Sequence, residues 1–550
     1  MKHAPAPDKM NVGFGDNFTT WVNLLGSLPR VQVLKSVIYG AFRIGATALW
    51  PFLLYRSLKE TDNRNDIDIV FNIGLVILLL GLASLAAHKQ SAINIQIIKS
   101  FTLETIDRLW CKMNSLDWLT FHSKNRVYYF DMLMVETWRL RAGVIALLES
   151  LFINSLIAAF LSLAIIFISL PLFLVCLAGL VVMVAGQYFA TISTRPLMKE
   201  FHTAWRNQHQ WISKSVDQFD LIKMDRAYDF SREKNRTRSD AFLLVNSRLL
   251  LQQAKWRNIN QMLVNLVRVV VFIMGIYWVR TGYIGLDNLL LVLLIVTVIQ
   301  SNIMQIPGAL NNFTEAGEAL RTISEFLALK EDQSGRKKAD LKPVRHISIC
   351  NLSYRYNGHN VLENINFNLE AGKIYLWRGK NGSGKSTVAH ILLGLLEPPQ
   401  GSLSINGKSE AWETLKTLRH RFAFLNQHSP VFGGSIKENV LFGHPEAEPA
   451  WEVLHTNWLK RLLPKGRNES QQIGERGEGL SGGEAKRIAL IRELLRSSEI
   501  IILDEPLNHL DEYAIEEIKR EILNIKAETI VIIISHQTGF ESIADEIIDF

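Results

Sequence analysis

Apolar positions follow two regimes along this chain. Over roughly the first three hundred residues they form long uncharged runs, and over the last two hundred they recur as short β-like and helical stretches. A spanning helix needs about 20 mostly apolar residues, because the hydrocarbon core of a bilayer is about 30 Å thick. Residues 69–87 meet that test without one charge. Residues 151–193 cover two such lengths, and Ser169-Leu170-Pro171 near their middle reads as a tight turn between spans. Residues 288–304 form a further span, and two weaker runs complete the set: 33–55, which holds Arg43, and 261–279, which holds Arg268. The pattern predicts six spans in a membrane domain over 1–329. The polar N-terminus, residues 1–11, carries no apolar stretch behind a basic start. No secretory signal peptide is expected there, and the first span is expected to stay in the protein.

Charge orients the spans. The chain carries a net charge of +7, which alone could suggest nucleic acid, but the basic residues sit between apolar runs. Residues 89–139 hold seven Lys or Arg and 195–257 hold thirteen, whereas the Ser169–Pro171 turn holds none. By the positive-inside rule both long loops and both termini are cytoplasmic. This argues for a membrane partner and against nucleic acid. Cys111, Cys176 and Cys350 are far apart and odd in number, which excludes a disulfide framework or zinc site.

The two basic loops are too long for structureless connectors. Phe242, Val245 and Leu249 repeat at helical spacing. The spans are therefore read as continuing beyond the membrane, turning at short helices near 117–132 and 216–224. Amphipathic helices lying on the membrane surface are the alternative. Within the spans, Glu149, Asn154, Arg268, Gln300, Asn302 and Gln305 are costly in hydrocarbon. They either line a polar substrate path or hold the bundle together through a Glu149–Arg268 pair and amide hydrogen bonds.

After a helical stretch at 313–329, residues 330–343 are polar and turn-rich, a domain boundary. From Val344 the pattern is that of an α/β domain over 344–550. Gly379-Lys380-Asn381-Gly382-Ser383-Gly384-Lys385-Ser386-Thr387 matches the phosphate-loop pattern, after an apolar strand at 374–377 and before an apolar helix at 388–396. Such glycines let backbone N–H groups converge on phosphate oxygens at a helix N-terminus. Lys385 is placed for the β- and γ-phosphates and Ser386 for Mg²⁺. The apolar run 500–503 ends in Asp504, which can reach Mg²⁺, and Glu505, which can polarise an attacking water as general base. The predicted fold class is thus an α-helical polytopic membrane domain joined to an α/β phosphate-loop NTPase domain, with ATP and Mg²⁺ as cofactors.

Leu480-Ser481-Gly482-Gly483-Glu484 resembles the signature of the ATP-binding cassette (ABC) proteins, and its neighbours agree. Gln427 looks like the Q-loop residue, a Mg²⁺ and water ligand, and His536 looks like the switch histidine. Tyr356, with Tyr354 as its rival, stands where the family's adenine-stacking aromatic is found. Residues 508–511 occupy the D-loop position, with His509 a surface residue there. Residues 473–477 are similar to the X-loop of ABC exporters. The resemblance to an exporter-type half-transporter covers the whole chain. It implies a homodimer, because Ser481, Gly482 and Gly483 would meet the γ-phosphate of ATP held by a second copy. It also implies that the short helices carry cassette motion to the spans.

Glu484 replaces the usual glutamine, Gln472 an acidic X-loop residue, and Asn508-His509 the commoner Ser-Ala. Lys385, Asp504, Glu505 and His536 are intact, so hydrolysis is expected. The expected function is ATP-driven export of a peptide-like or amphiphilic small substrate, and with no cysteine-peptidase domain read before the first span, leader cleavage of a peptide cargo is not expected of this chain. The expected location is a bacterial inner membrane. A lipid flippase or a membrane-bound regulatory ATPase without cargo are the alternatives.

Overall fold

The computed structural model describes residues 29–60, 66–332, 342–356, 359–409, 416–427, 430–442, 470–496, 498–508, 510–536 and 539–550. Residues 1–11, His509 and most of 330–343 lie outside them. The chain divides into two compact units, Met1–Asn114 with Lys124–Leu329, and Ser115–Ser123 with Lys330–Phe550.

The first unit is helical. It contains α1 (Arg30–Glu60) and α2 (Asp66–Asn114), and, after α3 (Trp118–His122) of the second unit, α4 (Arg126–Ile168) and α5 (Leu170–Asp217). It ends with α6 (Phe219–Met224), α7 (Tyr228–Arg280), α8 (Leu286–Ile303) and α9 (Ile306–Leu327). Six helices are long and apolar enough to cross a membrane, with α8 and α9 together supplying the sixth. Helix α7 has 53 residues, about 80 Å at 1.5 Å per residue, and so far exceeds a bilayer core. The basic loops are therefore continuations of the spans, not separate surface helices. Val245 and Leu249 of the predicted stripe are buried and Phe242 is half-buried.

The predicted turn is a single residue. Ser169 is extended between α4 and α5, and its hydroxyl caps Leu172 N–H. Pro171 sits in the first turn of α5, where a missing N–H costs nothing. Helix α4 is not uniform: Asp131–Glu136 and Ala146–Leu151 are π turns. A packed apolar cluster that includes Ile157, Leu161, Ile165, Val292 and Ile295 joins α4 to α8.

The second unit is α/β. Strands β1 (His346–Tyr356), β2 (His359–Glu370), β4 (Leu403–Ile405) and β5 (Lys408–Ser409) form an antiparallel sheet in the order β2-β1-β4-β5. Strands β3 (Ile374–Arg378), β6 (Phe422–Leu425), β9 (Ile500–Asp504), β10 (Ile530–Ile534) and β11 (Glu546–Asp549) form a parallel sheet, β11-β3-β10-β9-β6, and the short β7 (Gly434–Ser435) and β8 (Gln472–Ile473) pair antiparallel. Its central strands are apolar on both faces, as burial on both sides requires. Every residue of β10 is buried. Helices α10 (Lys385–Leu392), α11 (Ile436–Val440), α12 (Gly482–Leu495) and α13 (Glu512–Ile525) pack against the strands.

The sequence pattern assigns residues 115–123 to the membrane domain, but they fold into the second unit. Asp117 N–H donates to Lys330 O (3.2 Å), and the Trp118 ring lies 4.9 Å from that of His390. Trp118 and Leu119 pack on the apolar core there. Apolar burial explains the assignment, and nothing local in the sequence marks it.

Candidate functional site

Strand register assembles the site. Ile534 pairs with Trp377 on one side and with Asp504 on the other. The carboxyl ends of β3, β10 and β9 are therefore level, and the loops leaving them converge. Ligands in open parallel sheets bind at such ends. The loop after β3 is the phosphate loop, the one after β9 carries Glu505, and the one after β10 carries His536.

Two features fold the phosphate loop. Gly379, Gly382 and Gly384 have φ of 141°, 84° and 97°, values that favour glycine. At Gly384 a Cβ would also clash with Leu362 Cδ2. Gly384 caps α10, whose N-terminus opens into the loop. Lys385, 6 % exposed, turns its Nζ back to Gly379 O (2.7 Å), Lys380 O (3.0 Å) and Ser383 Oγ (3.2 Å). Burial pushes its pKa down, opposed by Asp504 and Glu505. A cationic amine held over a concave ring of backbone N–H groups suits a polyphosphate, so the residues fit ATP.

The acidic side is equally constrained. Burial raises the Asp504 pKa, with Glu505 adding to it and Lys486, Lys385 and His536 opposing. Glu505 has φ of 49°, a strained conformation worth about 1–3 kcal/mol for a non-glycine residue. It is held there by Glu505 N–H donating to Ile534 O (2.8 Å) and His536 N–H donating to Glu505 Oε1 (3.1 Å). His536 Nε2 lies 3.9 Å from the same oxygen. Ser386, Asp504 and Gln427 offer oxygen atoms to a hard divalent cation, which is the donor chemistry Mg²⁺ takes.

A cavity of about 450 Å³ joins these groups. Asn381, Gly382, Ser383, Gly384, Lys385, Ser386, Thr387, Gln427, Asp504, Glu505 and His536 line it, with Val361, Asn508 and Ile534. Gly379 reaches it through Lys385. Tyr356 stands apart, 45 % exposed at the end of β1, while its rival Tyr354 is half-buried against the core. Ser481, Gly482 and Gly483 are not among the lining residues. Ser481 instead caps α12: Glu484 N–H donates to its hydroxyl, and Ser481 N–H donates to Glu484 Oε2 (2.7 Å). That reciprocal cap gives the glutamate at this position a structural part to play.

Lys486 was not singled out by the sequence. It is 4 % exposed on α12, and its Nζ donates to Gln427 O (3.3 Å) and reaches Asp504 O at 3.5 Å. Burial lowers its pKa while Asp504 and Glu505 raise it. On the same helix Arg487 pairs with Asp511 (2.8 Å), the cap of α13. Both links join α12 to loops outside it in sequence, so only the fold reveals them.

The spans carry a second set of polar contacts. Arg268 does not meet Glu149: its guanidinium donates through both Nε (3.1 Å) and Nη2 to Gln300 Oε1. Gln300 Nε2 donates in turn to Val264 O (3.0 Å). Glu149 accepts from Asn94 Nδ2 (3.1 Å), and Asn154 Nδ2 donates to Gln305 Oε1 (3.2 Å). Asn302 Nδ2 bonds within its own helix, to Val298 O. The Glu149–Arg268 pair is thus ruled out by which helices adjoin, while the amide bonds of the bundle are present.

Comparison with known proteins agrees with this architecture. A family model described as ABC transporter matches residues 362–508. A probable ABC transporter ATP-binding/permease protein of Haemophilus influenzae is 30 % identical over 287 residues, 50 % of this chain and 48 % of that protein. The subtilin transport ATP-binding protein SpaT of Bacillus subtilis is 26 % identical over 66 % of this chain and 61 % of its own length. An ATP-dependent lipid A-core flippase of Colwellia psychrerythraea is 32 % identical over 42 % of this chain and 40 % of its own length. The chain thus spans about half the length of the curated relatives it matches. In fold, a bacterial Atm1-family ABC exporter with ATP bound superimposes with a TM-score of 0.86 at 17 % identity, covering 95 % of this chain and 93 % of that one. With six helices long and apolar enough to cross a membrane ahead of it, residues 362–508 form an ABC transporter ATP-binding domain, in a chain whose fold is that of the ABC exporter it superimposes on.

Proposed function

We propose that this protein is an ATP-driven exporter that moves a peptide-like or amphiphilic small molecule outward across a bacterial inner membrane, working as a homodimer. The observation that carries the reading is the cavity joining the phosphate loop to Asp504, Glu505 and His536, in a chain with six spanning helices. The absence of Ser481–Gly483 from that lining supports the dimer, since a second copy can supply them. The long basic continuations of the spans favour cytoplasmic termini.

Within one site, backbone N–H groups of 381–387 and Lys385 bind the β- and γ-phosphates. Ser386, Asp504 and Gln427 would hold Mg²⁺, which would supply charge neutralisation of the phosphate oxygens. Tyr356 stacks on the adenine. Glu505 takes a proton from the attacking water, and His536, already bonded through its N–H to Glu505, fixes that carboxylate and faces the γ-phosphate. Closure of the two cassettes favours an outward-facing membrane domain, and hydrolysis lets it return.

A lipid flippase is the second reading, favoured by the flippase relative at 32 % identity. Untargeted mass spectrometry of medium, cells and membranes separates the two. The native host with wild-type protein is compared with the same host carrying Glu505→Gln. A species lost from the medium and accumulated in cells supports export. A lipid shifted between leaflets, with the medium unchanged, supports flipping, and no change in either overturns transport.

A further inference from the structure

We propose that Lys486 is a positioning residue for the divalent cation: its side chain clamps the main chain of Gln427 to that of Asp504 and so sets the spacing of two Mg²⁺ ligands. This rests on the Mg²⁺ site proposed above.

The sheet stops short of the residues whose spacing matters. Strands β6 and β9 are parallel neighbours, and their last rung pairs Leu425 with Leu503. Asp504 lies one residue beyond that rung but is still paired on its other side, with Ile534 of β10. Gln427 lies two residues beyond the rung, on the loop leaving β6, and β6 is the edge strand of its sheet. The loop of Gln427 is therefore the part that the sheet itself does not hold.

Helix α12 takes over there. Lys486 is 4 % exposed, and its Nζ donates to Gln427 O (3.3 Å) and lies 3.5 Å from Asp504 O. Glu493, two turns further along α12, accepts at Oε2 from Phe424 N–H (3.2 Å) of β6. Residues seven apart share one face of a helix, so one face of α12 grips β6 and its exit loop at two points.

The choice of acceptors gives the amine a positioning part. Both of its contacts are main-chain carbonyls, which leaves the side chains of Gln427 and Asp504 to line the cavity. Two carbonyls cannot bond each other, and only a donor set between them ties them together. Mg²⁺ demands near-ideal octahedral geometry at about 2.0–2.1 Å. Its affinity is thus sensitive to the distance between ligands carried on separate loops. Charge alone would act with the opposite sign. A fixed positive charge repels a nearby cation, so removing the charge should tighten Mg²⁺ binding, whereas removing the clamp should weaken it.

The test uses full-length protein in nanodiscs at mildly alkaline pH, with Mn²⁺ in place of Mg²⁺ so that free metal is read by electron paramagnetic resonance. Protein is kept in excess over the ATP analogue AMP-PNP, which is thereby bound before metal is added. Lys486→Met and Lys486→Ala remove the donors, and Lys486→Gln keeps an amide NH₂ without the charge. Mn²⁺ should bind about tenfold more weakly to whichever donor-free variant retains AMP-PNP binding in EDTA. Lys486→Gln should hold Mn²⁺ at least as tightly as the wild type. Unchanged or tighter binding in the donor-free variants overturns the proposal, as does a Lys486→Gln protein weakened by the same factor as they are. Loss of metal-free AMP-PNP binding in both donor-free variants overturns it too, because the amine would then support the phosphate site as a whole. Asp504→Asn, scored in parallel, should weaken Mn²⁺ binding. If it does not, Asp504 is no ligand and the Mg²⁺ site falls together with the clamp. A clamp that fails while Asp504→Asn weakens binding leaves the site standing.

Discussion

In the ATP-binding unit the charged groups are fixed by main chain. Lys385 rests on two carbonyls of its own loop, Lys486 on the carbonyls of Gln427 and Asp504, and Glu505 on the His536 N–H just past β10. In the membrane unit the polar groups are fixed largely by one another, as in Ser36–Asn94–Glu149, Asn154–Gln305 and Arg268–Gln300. A site held by main chain changes only when strands move. A chain of side chains has alternative partners close by. The first arrangement suits chemistry that must be the same in every cycle, and the second suits a surface that must take up and release a cargo.

Four substitutions probe this contrast. Glu505→Gln should slow ATP hydrolysis about 10²–10⁴-fold, the range for a general base, with ATP binding retained in single-turnover assays. Unimpaired turnover would remove Glu505 from the chemistry. Gly384→Ala should lose about 1–3 kcal/mol through its φ alone, and more from the Leu362 clash; nucleotide titration and thermal melting would both register it. In the membrane unit, Gln300→Leu strips the acceptor from Arg268 and should destabilise by about 1–3 kcal/mol. Gln305→Leu removes a neutral amide pair worth only about 0.6 kcal/mol on average in membranes. Similar melting shifts for the two would show that Arg268 finds another acceptor easily.

The mildest effect concerns pH. Burial holds the Asp504 carboxyl above the ordinary range, and Lys486 counteracts this. A protonated Asp504 cannot ligate Mg²⁺, so Mg²⁺-dependent nucleotide affinity should fall on acidification sooner than for a free carboxylate. Lys486→Met removes the opposing charge and should move that fall to still higher pH. A midpoint that stays in place would show that Lys486 acts only through its hydrogen bonds.

Much of this was legible in the sequence, for identifiable reasons. Spans and buried strands announce themselves by composition, so residues 69–87 and 500–503 are found wherever a bilayer or a parallel sheet requires them. The phosphate loop is legible because its glycines and lysine act within nine consecutive residues. What was missed depends on partners distant in sequence. Asn94 and Glu149 are 55 residues apart, and Gln427 and Lys486 are 59 apart. The two π turns of α4 have no compositional marker, because an inserted residue changes register rather than polarity. The same holds for Trp118, whose apolar ring says that it will be buried and not by which unit.

The single-residue junction at Ser169 has a mechanical consequence. Helices α4 and α5 leave it with no slack, so at that end they are pinned like the legs of a pair of compasses. Any separation between them must grow with distance from the pin. Helix α5 has 48 residues, about 72 Å of lever at 1.5 Å per residue. A swing of about 10° at Ser169 would carry its far end through about 13 Å of arc on that length. Small angular adjustments at one rim of the membrane are thereby magnified into large displacements at the other.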